Sequence, residues 1–303
     1  MVSASTEKGA NVTPSEDGEW TVRRVLAWTT GYLREGGVES ARFEAESLLA
    51  HALSDDRLRL YLSPDRVLNE TERARYRSLI RQRRRGTPLA YLLECMPFMD
   101  ASLRVSPSAL IPRPETEEMV EGILRDVEAS RTVPERVIDF GTGSGAIAIV
   151  LAMAWPTASI VAIDRSSDAL ALARENARNN HVAGQISFVC ADWGSALEGR
   201  FDLIVANPPY VATEAWADLP IDVRDHEPGL ALDGGAGGTR EVDRIVADAP
   251  RLLAPDGWLY VEIGADQRRA MDDLMRNADG YGDWEVRSDR AGRSRVVVAH
   301  AKG

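Results

Sequence analysis

Short apolar runs alternate with helical-period segments along the middle of the chain. Strands are predicted at 136–140, 159–163, 186–190 and 201–206, with helices at 145–155 and 167–180 between them. Runs that are apolar on both faces belong to strands covered on both sides, and their alternation with helices predicts a parallel sheet with right-handed crossovers. A helix at 239–253, a strand at 257–263, a helix at 265–277 and a pair of strands near 284–287 and 294–300 complete this α/β sheet.

The pattern before it is different. Residues 1–19 carry almost no apolar side chains and read as a disordered tail. From 20 to 86 the period is helical and predicts a small bundle. Val22, Val25, Leu26, Tyr32 and Leu33 form one stripe, closed by Gly36-Gly37. Phe43, Leu48, Leu49, Ala52 and Leu53 form a second, with Ser40 as N-cap. A third helix opens at Asn69 with Glu72 as capping-box partner, and carries Tyr76, Leu79 and Ile80. Its final turn holds Arg81, Arg83 and Arg84, followed by Arg85; cations suit that end of a helix dipole, and no aromatic residues interleave with them as an RNA surface would require. Residues 87–113 read as a linker with a β-hairpin. Pro114 then opens a helix bearing Met119, Val120, Ile123 and Leu124, whose positive start suits Glu115, Glu117 and Glu118, so the main domain is expected over 114–303.

Composition narrows the function classes. The chain has 303 residues, 44% of them hydrophobic, enough for a sizeable core. A net charge of −11 opposes nonspecific binding to nucleic acid. Cys95 and Cys190 lie far apart, the four histidines are scattered, and no metal-ligand spacing is present; reduced thiols in the cytoplasm and no metal are the expectation. No signal-peptide core is present, and the longest apolar run, 146–155, is too short to span a membrane.

Two motifs carry the chemistry. Asn207-Pro208-Pro209-Tyr210 follows a strand directly, and the prolines stiffen its exit at the end of the sheet where α/β folds bind ligands. The Asn207 side chain and the Pro208 carbonyl are two neighbouring acceptors suited to an –NH2 group, and the Tyr210 ring suits a planar amide or base. Upstream, Asp139 precedes the glycine turn Gly141-Thr142-Gly143-Ser144-Gly145, the opening of a nucleotide-binding unit. Gly141, Gly143 and Ala146 also fit a dinucleotide fingerprint. Against NAD stand Asp139, placed to meet a cationic ligand such as the amino-acid part of S-adenosylmethionine, and the amine-holding Asn-Pro-Pro-Tyr. Asp164 ends the next strand at the spacing of an acid on ribose hydroxyls, the alternative being a helix N-cap near Ser166. Asp192-Trp193 follows the third strand, where the indole suits adenine and Asp192 its amino group, or where Trp193 simply packs at a sheet edge. The glycine-rich stretch 213–238 is expected to be a lid.

With these motifs the chain resembles the peptide chain release factor N(5)-glutamine methyltransferases, from about Trp20 to the C-terminus. The resemblance includes Ile111-Pro112-Arg113-Pro114-Glu115-Thr116-Glu117, Asp225-His226-Glu227-Pro228, Ala231-Leu232-Asp233-Gly234-Gly235 and Gly292-Arg293-Ser294-Arg295-Val296. It implies a Rossmann-like seven-stranded methyltransferase domain, its last strand antiparallel, behind a helical domain that holds the protein substrate. It also implies S-adenosylmethionine as cofactor, S-adenosylhomocysteine as product, no metal, and release factors as partners. Asn207, Pro208, Pro209 and Tyr210 would hold the glutamine; Asp139, Gly141 to Gly145, Asp164, Trp193 and Asn207 would hold the cofactor; 111–117 would border the cleft. The chain departs from the family at Glu94 and Asp100, where glycines are expected. That difference keeps open a small-molecule substrate such as a free amino-acid amide or guanidinium. A DNA adenine methyltransferase and a catalytically silent S-adenosylmethionine-binding protein are the remaining readings, opposed by the net charge and by the intact motifs.

Overall fold

A computed structural model describes residues 19–302, so residues 1–18 of the expected tail lie outside the described residues. The chain divides into two compact units, one ending at Arg84 and one running from Arg85.

The first unit is helical. Helix α1 (Val22–Glu35) starts at Thr21, whose hydroxyl accepts the Arg24 N–H, and buries Val22, Val25, Thr29 and Leu33. Its end closes through Gly37 in the left-handed region, with the Val38 N–H on the Leu33 carbonyl. Helix α2 (Ala41–Leu53) departs from the predicted stripe. Ser40 sits at the N-cap without a side-chain cap bond, and Phe43 is exposed beneath the Arg57 guanidinium. The helix is enclosed on most sides instead, with Glu44 and Glu46 buried. Buried carboxylates require partners. Glu46 receives Arg42, Arg57 and the Tyr61 hydroxyl, and Glu44 receives Arg83. Helix α3 (Arg57–Leu62) lies where no helix was predicted; its Asp56 cap is too brief a signal against six residues. Helix α4 (Glu70–Arg84) opens on the expected capping box, Asn69 Oδ1 accepting from Glu72 N at 2.9 Å and Glu72 Oε2 from Asn69 N at 3.0 Å. Arg83 meets Glu44 and Arg84 lies over the Tyr32 ring, so two of the four clustered arginines serve packing.

The second unit opens with α5 (Leu89–Leu93) and a hairpin of β1 (Cys95–Phe98) and β2 (Ala101–Arg104). Helix α6 (Pro114–Ser130) follows, and then the sheet: β3 (Arg136–Phe140), α7 (Ala146–Ala154), β4 (Ser159–Asp164), α8 (Ser167–Asn179), β5 (Ile186–Cys190) and β6 (Phe201–Ala206). After a region of short turns containing α9 (Ile221–Arg224) come α10 (Arg240–Leu252), β7 (Leu253–Glu262), α11 (Arg268–Asn277), β8 (Tyr281–Ser288) and β9 (Ser294–Ala301). Strand β7 begins four residues before the predicted 257 because Leu253 already pairs with Phe201 ahead of an irregularity in the register.

The sheet order is β5-β4-β3-β6-β7-β9-β8. Strands β3 to β7 pair in parallel, and β9 is antiparallel to both β7 and β8. Alternate strand residues face two cores. Val137, Ile160, Leu203 and Val205 join α6 and α7 on one side; Ile138, Phe140, Ile163 and Ile204 join α10 and α11 on the other. The hairpin shares the first core through Phe98, Ala101 and Leu103. Asn176 of α8 and Asn180 at its C-cap extend the pairing, bonding the backbone of Arg104 and Ser102 as a neighbouring strand would. From β3 the chain moves outward to β4 and β5, then returns to place β6 on the other side of β3. That reversal leaves a crevice at the carboxyl ends of β3 and β6, where Gly141 and Asn207 emerge side by side.

Candidate active site

The glycine turn follows from steric demands at its two ends. Gly141 has φ +69°, and a Cβ there would stand 3.3 Å from the Trp193 ring. Gly145 caps α7 at φ +85°, where a Cβ would meet Ala173 and Ile149 at 3.1 Å. Only glycine takes both the conformation and the contact without strain. Asp164 secures the turn from β4: Oδ2 accepts the Gly143 N–H at 2.9 Å and Oδ1 the Ser166 N–H at 2.8 Å. Ser166, rather than Asp164, is the N-cap of α8.

Asp139 is wholly buried beneath the turn and does not line the crevice. Its Oδ2 accepts the Thr142 hydroxyl at 2.6 Å and the Ala148 N–H at 3.2 Å, while Oδ1 has no protein partner. Burial pushes its carboxyl up to about 7 against these donors. Asp139 therefore braces the turn that approaches a ligand, and a direct role in meeting a cation falls to its unpartnered oxygen alone.

The Asn-Pro-Pro-Tyr segment sits on a polar network that the sequence pattern did not reveal. Asn207 Nδ2 donates to Thr116 Oγ1 at 2.9 Å, and the Thr116 hydroxyl donates to Glu262 Oε2 at 2.7 Å. Asn207 Oδ1 is buried without a partner. Glu262 ends β7, level with Asn207 across the ladder, and burial pushes its carboxyl up to about 7. Burial also raises the Tyr210 phenol, next to Glu262, Arg295 and Arg113. The Tyr210 carbonyl accepts from Gln267 Nε2 at 3.1 Å, which fixes the strand exit.

Trp193 adopts φ +48°, packs edge-on against Phe140, and donates Nε1–H to Glu241 Oε2 at 2.8 Å. Arg244 links Glu241 to Asp192, so α10 holds both residues at the mouth of the crevice. The stretch 213–238 is a series of short turns tied back to the sheet. Val211 pairs with Asp233, Thr213 Oγ1 donates to Asp233 Oδ1 at 2.8 Å, and Gln267 reaches the Gly238 carbonyl at 3.0 Å. At its centre Glu227 is buried, accepting the Ile111 N–H at 3.1 Å on one oxygen and Arg113 on the other. This places Pro228, Leu230 and Ala231 over the crevice.

The crevice thus gathers Gly141, Thr142, Gly143, Ser144, Asp164, Asp192, Trp193, Asn207 and Pro209 from the expected set. Asp139, Gly145, Pro208 and Tyr210 lie outside its lining. Sequence reading of the site missed Ser108, Ala109, Arg165 and Leu230, which line it, and Glu262 behind it. The acids after Pro114 do more than match a helix dipole: Glu115 receives Arg293 and Arg295, Glu117 the Met99 N–H, and Glu118 the Arg290 N–H.

The PrmC N-terminal domain family matches residues 24–93, and the Methyltransferase small domain family matches residues 123–219. The release factor glutamine methyltransferase of Geobacter sulfurreducens is 42% identical over 280 residues, covering 92% of this chain and 96% of that protein. That of Moorella thermoacetica is 40% identical over 283 residues, covering 93% and 99%. The chain belongs to the release factor glutamine methyltransferases. Among solved structures, the catalytic domain of hMettl16 in complex with MAT2A 3'UTR hairpin 6 superposes with a TM-score of 0.53 at 18% identity, over 70% of this chain and 81% of that one, a likeness of fold alone.

Within the release factor glutamine methyltransferases, Glu94 and Asp100 replace expected glycines, and neither lines the crevice. Glu94 keeps the backbone that glycine favours, at φ +59°, with an exposed side chain. In the hairpin turn the left-handed residue is Met99, at φ +49°, rather than Asp100. Both residues therefore sit at exposed turns outside the crevice lining.

Proposed function

We propose that this chain transfers the methyl group of S-adenosylmethionine to the side-chain amide nitrogen of the glutamine in the Gly-Gly-Gln motif of peptide chain release factors. The observation that carries the reading is Asn207 Oδ1: a buried acceptor without a partner, at the edge of a crevice built from a glycine turn. An unpaired buried acceptor costs about 1–3 kcal/mol, a penalty removed when a donor binds. The near-full-length likeness to release factor glutamine methyltransferases supports the substrate.

The residues present fit the cofactor. The left-handed Gly141 and Gly143 let a ligand approach the backbone, Asp164 offers further lone pairs to ribose hydroxyls, Trp193 offers an aromatic surface, and Asp139 leaves an acceptor oxygen unpaired beneath the turn. Gly141, Thr142, Gly143, Ser144, Asp164, Trp193 and Asn207 are assigned to hold it, with Asp139 and Gly145 bracing the turn. When bound, it supplies a methyl group on a cationic sulfur that a neutral nitrogen displaces in line.

The chain's own task is to present that nitrogen. An amide nitrogen is a weak nucleophile because its lone pair is shared with the carbonyl. Asn207 Oδ1 and the Pro208 carbonyl accept its two N–H bonds, orient the lone pair, and stabilise the positive charge that develops as the N–CH3 bond forms. The Tyr210 ring packs the amide plane. Once methylated, the nitrogen is acidic and releases its extra proton to water, so no strong base is required. The helical unit is assigned to hold the protein substrate. A cytoplasmic location accords with such a substrate, and no helix among the described residues is long and apolar enough to cross a membrane. Mass spectrometry of a purified release factor after incubation with the chain and S-adenosylmethionine tests the assignment; methylation of free arginine or glutamine, with the release factor untouched, would replace it with the small-molecule reading.

A further inference from the structure

Asn207 can present either end of its amide to a substrate, and only one end works. An oxygen facing the crevice accepts from a glutamine –NH2; the Asn207 –NH2 in its place would oppose the substrate's own donors. The backbone does not decide between the two, because the amide ends are nearly equal in size. The neighbours decide. Thr116 Oγ1 is 2.9 Å from Asn207 Nδ2 and 2.7 Å from Glu262 Oε2. A hydroxyl has one proton. An ionised carboxylate only accepts, so Glu262 takes that proton and leaves Thr116 with lone pairs for Asn207. Asn207 must then place –NH2 against Thr116 and its oxygen on the other side, where it is buried without a partner.

We propose that Thr116 and Glu262 are positioning residues of this site: the directed chain Asn207 Nδ2–H to Thr116 Oγ1–H to Glu262 Oε2 fixes the polarity of the Asn207 amide, so that its oxygen and not its –NH2 receives the substrate nitrogen. The inference deepens the reading above and rests on it for its kinetic consequences. The three residues come from the start of α6, the exit of β6 and the end of β7, and the contact between Thr116 and Glu262 spans 146 positions of sequence. Protonated Glu262 becomes a donor. It can donate its O–H to Thr116 Oγ1 as a hydrogen bond, which frees the Thr116 hydroxyl to donate to Asn207 and allows the amide to turn over. Facing Glu262 are Thr116 and Glu115 of α6, Tyr210 after β6 and Arg295 of β9. Burial and Glu115 favour its neutral form, whereas Arg295 and the Thr116 and Tyr210 hydroxyls favour the charged one, which places the change near neutrality. Turnover should therefore rise as pH passes upward through about 7.

Four variants and three readouts test this. In single-turnover methylation of a Gly-Gly-Gln release factor, Thr116→Val, isosteric but without the hydroxyl, should lower the rate about 10–100-fold while S-adenosylhomocysteine affinity stays within about threefold. Thr116→Ser, which keeps the hydroxyl, should recover most of the loss. Glu262→Gln, able to donate or accept, should flatten the rise with pH. Independently of activity, the Asn207 side-chain amide protons, assigned by their disappearance in Asn207→Ala, should include one that exchanges slowly in the wild type and in Thr116→Ser and rapidly in Thr116→Val. Equal losses in Thr116→Val and Thr116→Ser, an unchanged rate in Thr116→Val, a wild-type pH rise that persists in Glu262→Gln, or amide exchange indifferent to Thr116 would each overturn the relay. A wild-type chain with the protected amide proton but no transfer to the release factor would overturn the substrate instead.

Discussion

Glu94→Gly should stabilise the protein without changing its catalysis. Glu94 stands at φ +59°, and for a residue with a Cβ the left-handed region costs roughly 1–2 kcal/mol. Glycine removes that strain but adds backbone freedom to the unfolded chain, a loss of about 0.5–1 kcal/mol. Its side chain is exposed, and the hydrogen bond at this position, from the Val105 N–H at 3.2 Å, uses the backbone carbonyl that glycine keeps. The net gain is about 0.5–1 kcal/mol, or roughly 1–4 °C in the midpoint of a unit this size. Glu94→Ala is the control, because it discards the charge and keeps the strained φ; it should leave stability within about 0.5 kcal/mol of wild type. Urea titration followed by tryptophan fluorescence measures all three proteins, and methyl transfer to a release factor measures function. If the alanine and glycine variants gain equally, charge and not backbone conformation sets the effect. If Glu94→Gly changes the substrate KM several-fold, position 94 contributes to substrate recognition and the surface-turn account of it is wrong.

Two further predictions concern the crevice. Burial raises the Asp139 carboxyl to about 7, so the stabilising preference for its neutral form is complete below the unfolded value near 4 and is lost as pH rises through about 7. Wild type should accordingly lose stability relative to Asp139→Asn between those values and run parallel to it above them; urea midpoints at pH 5 and pH 8 that differ equally in both proteins would contradict this. Glu227→Gln removes the buried charge that holds Arg113 and the Ile111 N–H, and should cost about 3–5 kcal/mol of local stability. Because Glu227 seats Pro228, Leu230 and Ala231 over the crevice, S-adenosylhomocysteine should dissociate faster by stopped-flow fluorescence, and an unchanged rate would show that this stretch is no lid.

Much of the sheet was legible because its strands are apolar on both faces and end at strong breaks: Pro208 after β6, Gly141 after β3. The glycine turn and Asn207 were legible for the same reason, since local geometry demands those residue types. What was hidden depends on contacts distant in sequence. Helix α2 reads as a single stripe in sequence, but it is enclosed on most sides, and its buried Glu44 and Glu46 are made tolerable by Arg83, Arg57 and Tyr61. Thr116 read as one residue of a helix start; its role appears only when β7 brings Glu262 beside it. Asp164 lines the crevice as expected and also holds the Gly143 and Ser166 N–H groups, whereas Asp139 lies buried on the Thr142 hydroxyl and the Ala148 N–H. A residue that shapes a binding loop and one that touches the ligand leave the same trace in a sequence.

The most direct test of the account is the mass of the Gly-Gly-Gln peptide from a release factor incubated with this chain and S-adenosylmethionine. One added methyl group on the glutamine side chain is expected, and Asn207→Ala should lower its transfer by a far larger factor than it lowers S-adenosylhomocysteine affinity. A methylated release factor with Asn207→Ala fully active, or an unmodified release factor beside a methylated free amino acid, would contradict it.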